Sequence, residues 1–243
     1  MASVPRGDRL IITPGGPLEG EVRIGGAKNS ALKLMAATVV APGRHVLRNV
    51  PRISDVELMG EVLEALGVAV EWQDDALVID SSGDVHFDAP VELVERMRAS
   101  TALLGPLLAR CGEARMALPG GDDFGPRPID LHLQSLEALG ASFEMDGNVV
   151  VASAGRLKGA RVFLDYPSEG ATENLLLAAV VADGETEIDN AAREPEIADL
   201  AAFLNRMGAK VLGAGSSTIT VVGVEELRPV EHRVVADRIE AAT

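Results

Sequence analysis

The chain has 243 residues, 47% of them hydrophobic, enough to bury one large core or two small ones. A net charge of −15 and 3% aromatic content exclude the basic patches and stacking platforms that nucleic-acid binding requires. The longest apolar run, LLLAAVVA at 175–182, is far short of the ~20 residues of a membrane span, so no membrane partner is expected.

In chain order, GEVRIG alternates and predicts a strand over 20–25. The next stretch is apolar on nearly every side and predicts a buried helix over 27–41. Gly43 follows, as a left-handed cap would, and a strand is expected over 44–49. An amphipathic helix over 55–66 carries Val56, Leu58, Met59, Val62, Leu63 and Leu66 in one stripe. Strands over 68–72 and 76–80 then form a hairpin around QDD. The same order returns as helix 92–110, strand 113–118, helix 129–139 and strands 141–145 and 148–152 around DG. It returns again as helix 170–182, strand 185–189, helix 196–207 and strands 209–213 and 217–222 around GAGSS.

These elements are three copies of one unit, about 20–81, 84–152 and 160–222. LEALGVAVE, LEALGASFE and LNRMGAKVL are variants of one segment, with Gly67, Gly140 and Gly208 spaced 73 and 68 residues apart. Gly43, Gly112 and Gly184 follow the first helices at spacings of 69 and 72. The expected fold is α/β, with three β-α-β-α-β-β repeats around a pseudo-threefold axis, helices inside and sheets outside. No single unit could cover its own apolar helix. The segments AKN, MRAS and SEGAT, which precede the buried helices, would gather at one end. Helix N-termini carry free N–H groups and partial positive charge, so that end suits anions.

Particular residues stand out within that frame. Lys28 precedes a buried helix and reads either as a solvated lysine or as a grip on an anion. Asn29 is an N-cap by position. Asp130 opens its helix as Asp55 and Asp199 open theirs, which points to capping. Arg98 and Arg127 offer planar guanidinium groups suited to phosphate or carboxylate, or to ion pairs between repeats. LPGGDDFGPRPIDLH (118–132) is too rich in Gly and Pro for regular structure in its first half and sets Asp122 beside Asp123. Cys111 is the single cysteine, which excludes an internal disulfide and fits a reducing cytoplasm. The opening MASVPRGDRL lacks the apolar core of a signal peptide. His45, His86, His132 and His232 lack a second ligand at metal spacing, so no metal is expected.

GEVRIGGAKNSAL (20–32), MRASTALLGPLLAR (97–110), LPGGDDFGPRPIDLH, AAREPEI (191–197) and DRIE (237–240), in this order, resemble the UDP-N-acetylglucosamine 1-carboxyvinyltransferase branch of the enolpyruvyl transferase family. The resemblance covers essentially the whole chain. The shikimate-pathway branch shares the fold but is the weaker match at GGAKNSAL. The resemblance implies a two-domain inside-out α/β barrel of six units. It implies transfer of enolpyruvyl from phosphoenolpyruvate to the 3-hydroxyl of UDP-N-acetylglucosamine by addition and elimination, without metal or organic cofactor. This is the first committed step of peptidoglycan precursor synthesis, which serves cell shape and division.

On that resemblance Lys28 grips phosphoenolpyruvate, and Asn29 contacts substrate as well as capping. Asp130 and His132 fall in the uridine-binding region, and Ser168 and Gly170 of YPSEGAT at a helix N-terminus take the diphosphate. Many members carry cysteine after LPGG as proton donor; here Asp122 stands there. A carboxylic acid can serve if its pKa is raised, and Asp123 would push it upward. A carboxylate is a poor nucleophile for epoxides, which implies fosfomycin resistance. The remaining three repeats, with further arginines and the base for the sugar hydroxyl, are expected in a second domain outside this chain. Residues 1–19 would pair with that domain, 20–228 form the three-repeat domain, and 229–243 form the hinge. The chain alone is expected to be inactive. The alternative from another class is a one-domain nucleotide-sugar-binding pseudoenzyme or scaffold.

Overall fold

Helices that are apolar on every side have to lie in the interior, and they do. The computed structural model describes residues 11–17, 19–120 and 128–243. At its centre lie α1 (Lys28–Ala37), α4 (Leu104–Cys111) and α6 (Glu169–Ala179), joined by the 3-10 turns Thr38–Val40 and Arg98–Leu103. Every residue of α6 from Ala171 to Ala179 is buried, Glu173 and Asn174 included. The amphipathic helices α2 (Ser54–Ala65), α5 (Asp130–Ala138) and α7 (Pro195–Met207) pack on this core with their apolar stripes inward. All three units share one continuous hydrophobic core.

Three sheets cover the outside. β1 (Arg44–Arg48), β2 (Ala69–Gln73) and β3 (Ala76–Asp80) belong to the first unit. α3 (Val91–Val94), β4 (Glu113–Ala117), β5 (Ala141–Asp146) and β6 (Val149–Ala154) belong to the second. β7 (Arg161–Phe163), β8 (Glu185–Asp189), β9 (Lys210–Leu212) and β10 (Thr218–Val222) belong to the third. β11 (Glu231–Arg233) and α8 (Arg238–Ala242) follow. The strand orders are β11-β1-β3-β2, β4-β6-β5 and β7-β8-β10-β9. The first and third sheets are the same arrangement, because β11 runs parallel to β1 as β7 runs parallel to β8.

That equivalence corrects one expectation. Residues 20–25 form no strand, and Val22 is exposed. Their place beside β1 is taken by β11, in register Leu47↔His232, so the segment read as a hinge also carries a strand of the first sheet. His232 and Val234 can bury there, while Gly26 forms an isolated antiparallel bridge with Ala236. In the second unit the corresponding strand shrinks to a parallel bridge, Asp88 to Arg115.

The expected helix over 92–110 is also broken, into α3, the turn Arg98–Leu103 and α4. Met97 is extended, and Pro106 lacks an N–H and excludes the carbonyl four residues back, so the α-helix restarts at Leu104. Of the expected glycine caps on the first helices, Gly112 closes α4 in the left-handed region, whereas Gly43 and Gly184 lie beyond their helices, in the turns into β1 and β8.

The capping expectations fail for a tertiary reason. Asn29, Asp55 and Asp130 lie inside their helices and make no cap hydrogen bond. The first N–H of α1, on Lys28, donates instead to Asp237 Oδ2 (3.2 Å), a residue 209 positions away. Asp199, inside α7, accepts from Ser30 Oγ (2.5 Å), His232 Nε2 (2.8 Å) and the Val235 N–H (3.2 Å). No described helix is long and apolar enough to cross a membrane.

Candidate active site

α1, the turn at Arg98 and α6 all begin at the same end of the barrel, and residues from all three line one cavity of about 540 Å³. Among the described residues four basic side chains face it, Lys28, Lys33, Arg96 and Arg98, against two acidic ones, Asp55 and Glu169. In a chain of net charge −15 this is a local reversal of sign, and two helix starts reinforce it.

Lys28 Nζ lies 2.8 Å from Asp55 Oδ2, with both side chains a third or more exposed. Such a pair contributes about 0–1 kcal/mol, so exchange of Asp55 for a ligand anion costs little. Arg98 Nη2 donates to the Pro128 carbonyl (3.0 Å), which ties the second unit's turn to the approach of α5. Ser168 caps α6, its Oγ accepting from the Ala171 N–H (3.3 Å) while its own hydroxyl proton stays available.

His132 is set by Asn174. The Gly105 N–H donates to Asn174 Oδ1 (2.8 Å), which fixes the amide orientation. Asn174 Nδ2 therefore donates, to the Thr101 carbonyl (2.9 Å) and to His132 Nδ1 (2.8 Å). Nδ1 is thus an acceptor, and the ring proton sits on Nε2. Burial, and then the charges of Lys33 and Arg98, depress the imidazole pKa to about 4, so the ring is neutral at pH 7. It offers the cavity an uncharged N–H. Gly170 makes room for it: a Cβ there would stand 2.8 Å from His132 Cε1.

Behind Lys28, Lys33 Nζ donates to Glu173 Oε2 (2.5 Å), and Glu173 is fully buried. Burial raises the Glu173 carboxyl to about pKa 7, with Lys33 opposing and Glu169 adding to the rise. Glu169 at the start of α6 is likewise raised, first by burial.

The structure brings Lys28, Asn29, Arg98, His132, Ser168 and Gly170 to this one cavity. Asp130 is exposed on the first turn of α5 and does not line it. Asp122 and Arg127 lie outside the described residues, and so does the distance from Lys28 to Arg127. Sequence reasoning missed Lys33, Glu173 and Asn174. Their signal was present: a charge or amide inside a helix that is otherwise apolar all round must find a buried partner.

The chain matches the family described as EPSP synthase (3-phosphoshikimate 1-carboxyvinyltransferase) over residues 12–243. Curated relatives named UDP-N-acetylglucosamine 1-carboxyvinyltransferase include that of Mycolicibacterium paratuberculosis, 53% identical over 97% of this chain and 57% of its own length. That of Corynebacterium jeikeium is 52% identical over 97% of this chain and 56% of its own. The chain thus spans little more than half the length of these relatives. Among solved structures, the enolpyruvyl transferase NikO from Streptomyces tendae superposes with a TM-score of 0.81 at 27% identity, over 93% of this chain and 54% of that one. An EPSP synthase from Acinetobacter baumannii shares the fold, with a TM-score of 0.74 at 22% identity over 92% of this chain and 51% of that one.

Proposed function

This chain belongs to the EPSP synthase (3-phosphoshikimate 1-carboxyvinyltransferase) family, and on that premise we propose that it carries one half of an enolpyruvyl transferase. The whole enzyme moves enolpyruvyl from phosphoenolpyruvate to the 3-hydroxyl of UDP-N-acetylglucosamine, in the cytoplasm, at the entry to peptidoglycan precursor synthesis. The observation that carries this reading is the convergence of Lys28, Arg98, His132 and the start of α6 on one electropositive cavity. The names of relatives at about 53% identity favour UDP-N-acetylglucosamine over shikimate 3-phosphate as acceptor.

Both substrates are polyanions, so the first task is charge. Lys28 and Arg98 hold phosphate and carboxylate groups, with Arg127 adding a guanidinium from the segment before α5. Asn29, the His132 Nε2–H, Ser168 Oγ and the N–H of Gly170 supply neutral donors, while Asp130, outside the cavity on the first turn of α5, is assigned to the uridine by the resemblance alone. In the addition step the sugar oxygen bonds to C2 of phosphoenolpyruvate, its proton passes to a base, and C3 gains a proton. Asp122 is the acid the sequence offers, and Lys28 stabilises the charge that develops at the reacting centre. In the elimination step a C3 proton leaves, the C2–O bond to phosphate breaks, and inorganic phosphate departs. The base and further phosphate ligands reside in the second domain.

The test is phosphate release from phosphoenolpyruvate plus UDP-N-acetylglucosamine, by this chain alone and with a second domain supplied. We expect binding of UDP-N-acetylglucosamine by the chain alone, and turnover only on complementation. Failure of both binding and complemented turnover overturns the proposal. A second reading, nucleotide-sugar binding without catalysis, draws on the cavity being lined within this chain; binding that persists with no complemented turnover supports it.

A further inference from the structure

Lys33 lines the cavity from α1, and its charge is not independent. Its side chain is 13% exposed and its Nζ rests against Glu173, whose side chain is 0% exposed. Oε1 of Glu173 is buried without a hydrogen-bond partner. An ionised carboxylate in that position leaves one oxygen bare in a region that has lost water, whereas a proton on Oε1 leaves Oε2 free to keep accepting from Lys33. We propose that Glu173 is a proton-linked counter-ion to Lys33, so that an oxyanion entering the cavity at Lys33 binds together with one proton on Glu173. Lys33 is thereby a substrate-binding residue and Glu173 a positioning residue that acts through it. The inference deepens the anion-site reading proposed above and rests on it.

The charges around the pair favour this coupling. Glu173 is faced by Lys33 from α1, by Glu169 on its own helix and by Glu196 from the first turn of α7. Glu169 in turn faces Glu194, Glu196 and Arg238, and Arg238 is bonded to Glu196 (3.2 Å). Lys33 also faces His132 on α5, which stays neutral above its pKa of about 4. With Glu173 ionised, the Lys33–Glu173 pair has no net charge to offer an anion; with Glu173 protonated it offers a full positive charge. Bound anion then raises the affinity of Glu173 for its proton by the same factor as the proton raises that for anion. The proton comes from solvent, and no covalent bond other than O–H is made.

Sulfate is the probe, because it stays doubly charged across the window where phosphate monoesters themselves titrate, near about pH 6. Titration calorimetry of the 243-residue chain, in two buffers of different ionisation enthalpy, reads both affinity and proton uptake. From about pH 6 to about pH 8.5 we expect sulfate affinity to fall about thirtyfold, with uptake approaching about one proton per sulfate on the alkaline side. Glu173→Gln mimics the protonated acid. It should bind sulfate about thirtyfold more tightly than wild type at about pH 8.5, with no pH slope; a purely structural loss would weaken binding instead. Lys33→Met should bind weakly at every pH and show no slope, which keeps the test decisive if Glu173→Gln does not fold. Absence of sulfate binding, a flat wild-type profile, a slope retained in Glu173→Gln, or a slope abolished only by Glu169→Gln each overturns the proposal. Sulfate binding with the Glu173-dependent proton but no binding of UDP-N-acetylglucosamine would remove the enolpyruvyl reading and leave this one standing. The converse pattern would do the opposite.

Discussion

Asn174 uses its amide fully. It takes the Gly105 N–H, gives to Thr101 and His132, and stands where a Cβ on Gly105 would overlap its own backbone carbonyl. Asn174→Ala would orphan the buried Gly105 N–H, take from the Thr101 carbonyl one of its two donors and free the His132 ring. We expect a loss of about 2–4 kcal/mol, read from the denaturant midpoint at unchanged slope. Gly170→Ala would drive a methyl into His132 and should weaken UDP-N-acetylglucosamine binding about tenfold, with little change in helix content. Asp122 sets a third expectation, argued from chemistry alone: the complemented enzyme should keep its activity in fosfomycin, and Asp122→Cys should become sensitive. A covalent adduct on Asp122 by mass spectrometry, with matching inactivation, would refute it.

Among the elements, β11 does the most with the fewest residues. It supplies the first sheet's outer strand and brings His232 to Asp199, which also holds Ser30 of α1. Burial pushes the Asp199 carboxyl up, but the bonds from His232, Ser30 and Val235 outweigh it and leave the pKa lowered. Truncation after Arg228 would bare the edge of β1 and strip Asp199 of two donors; we expect loss of cooperative unfolding and self-association by size-exclusion chromatography. The α1–α6 contact carries the opposite electrostatic sign. Glu173 is raised from the model-peptide value of 4.5 to about 7, so the folded state holds more protons than the unfolded one between those values. Stability therefore falls as pH rises through that window, by up to about 3 kcal/mol from this group, and levels off above it. Urea titrations of wild type and Glu173→Gln should differ in that slope.

At the scale of the molecule, a chain of net charge −15 gathers basic side chains at one end because three like units aim their first helices there. A ligand that binds only the folded state stabilises it by mass action. UDP-N-acetylglucosamine at about 100 times its Kd should add about 2.7 kcal/mol, seen as a raised Tm that vanishes in Lys28→Met with Arg98→Met. The chain spans 57% of a relative's length, and under the proposed function turnover needs a second domain, so binding is the property to measure on this chain.

The amino-acid sequence by itself determined the unit, its threefold return and the division between buried and amphipathic helices, because hydrophobic periodicity and turn residues are local signals. It also pointed to Lys28, Arg98, His132, Ser168 and Gly170, which share one cavity. Tertiary structure alone decided that β11 replaces residues 20–25, that Asp237 satisfies the start of α1 where Asn29 does not, and that Lys33 meets Glu173 across 140 positions. Each of these depends on which distant group arrives to satisfy a strand edge, a free N–H or a buried charge. Neighbours in sequence carry no record of that competition; it is settled only when the three units close on one another.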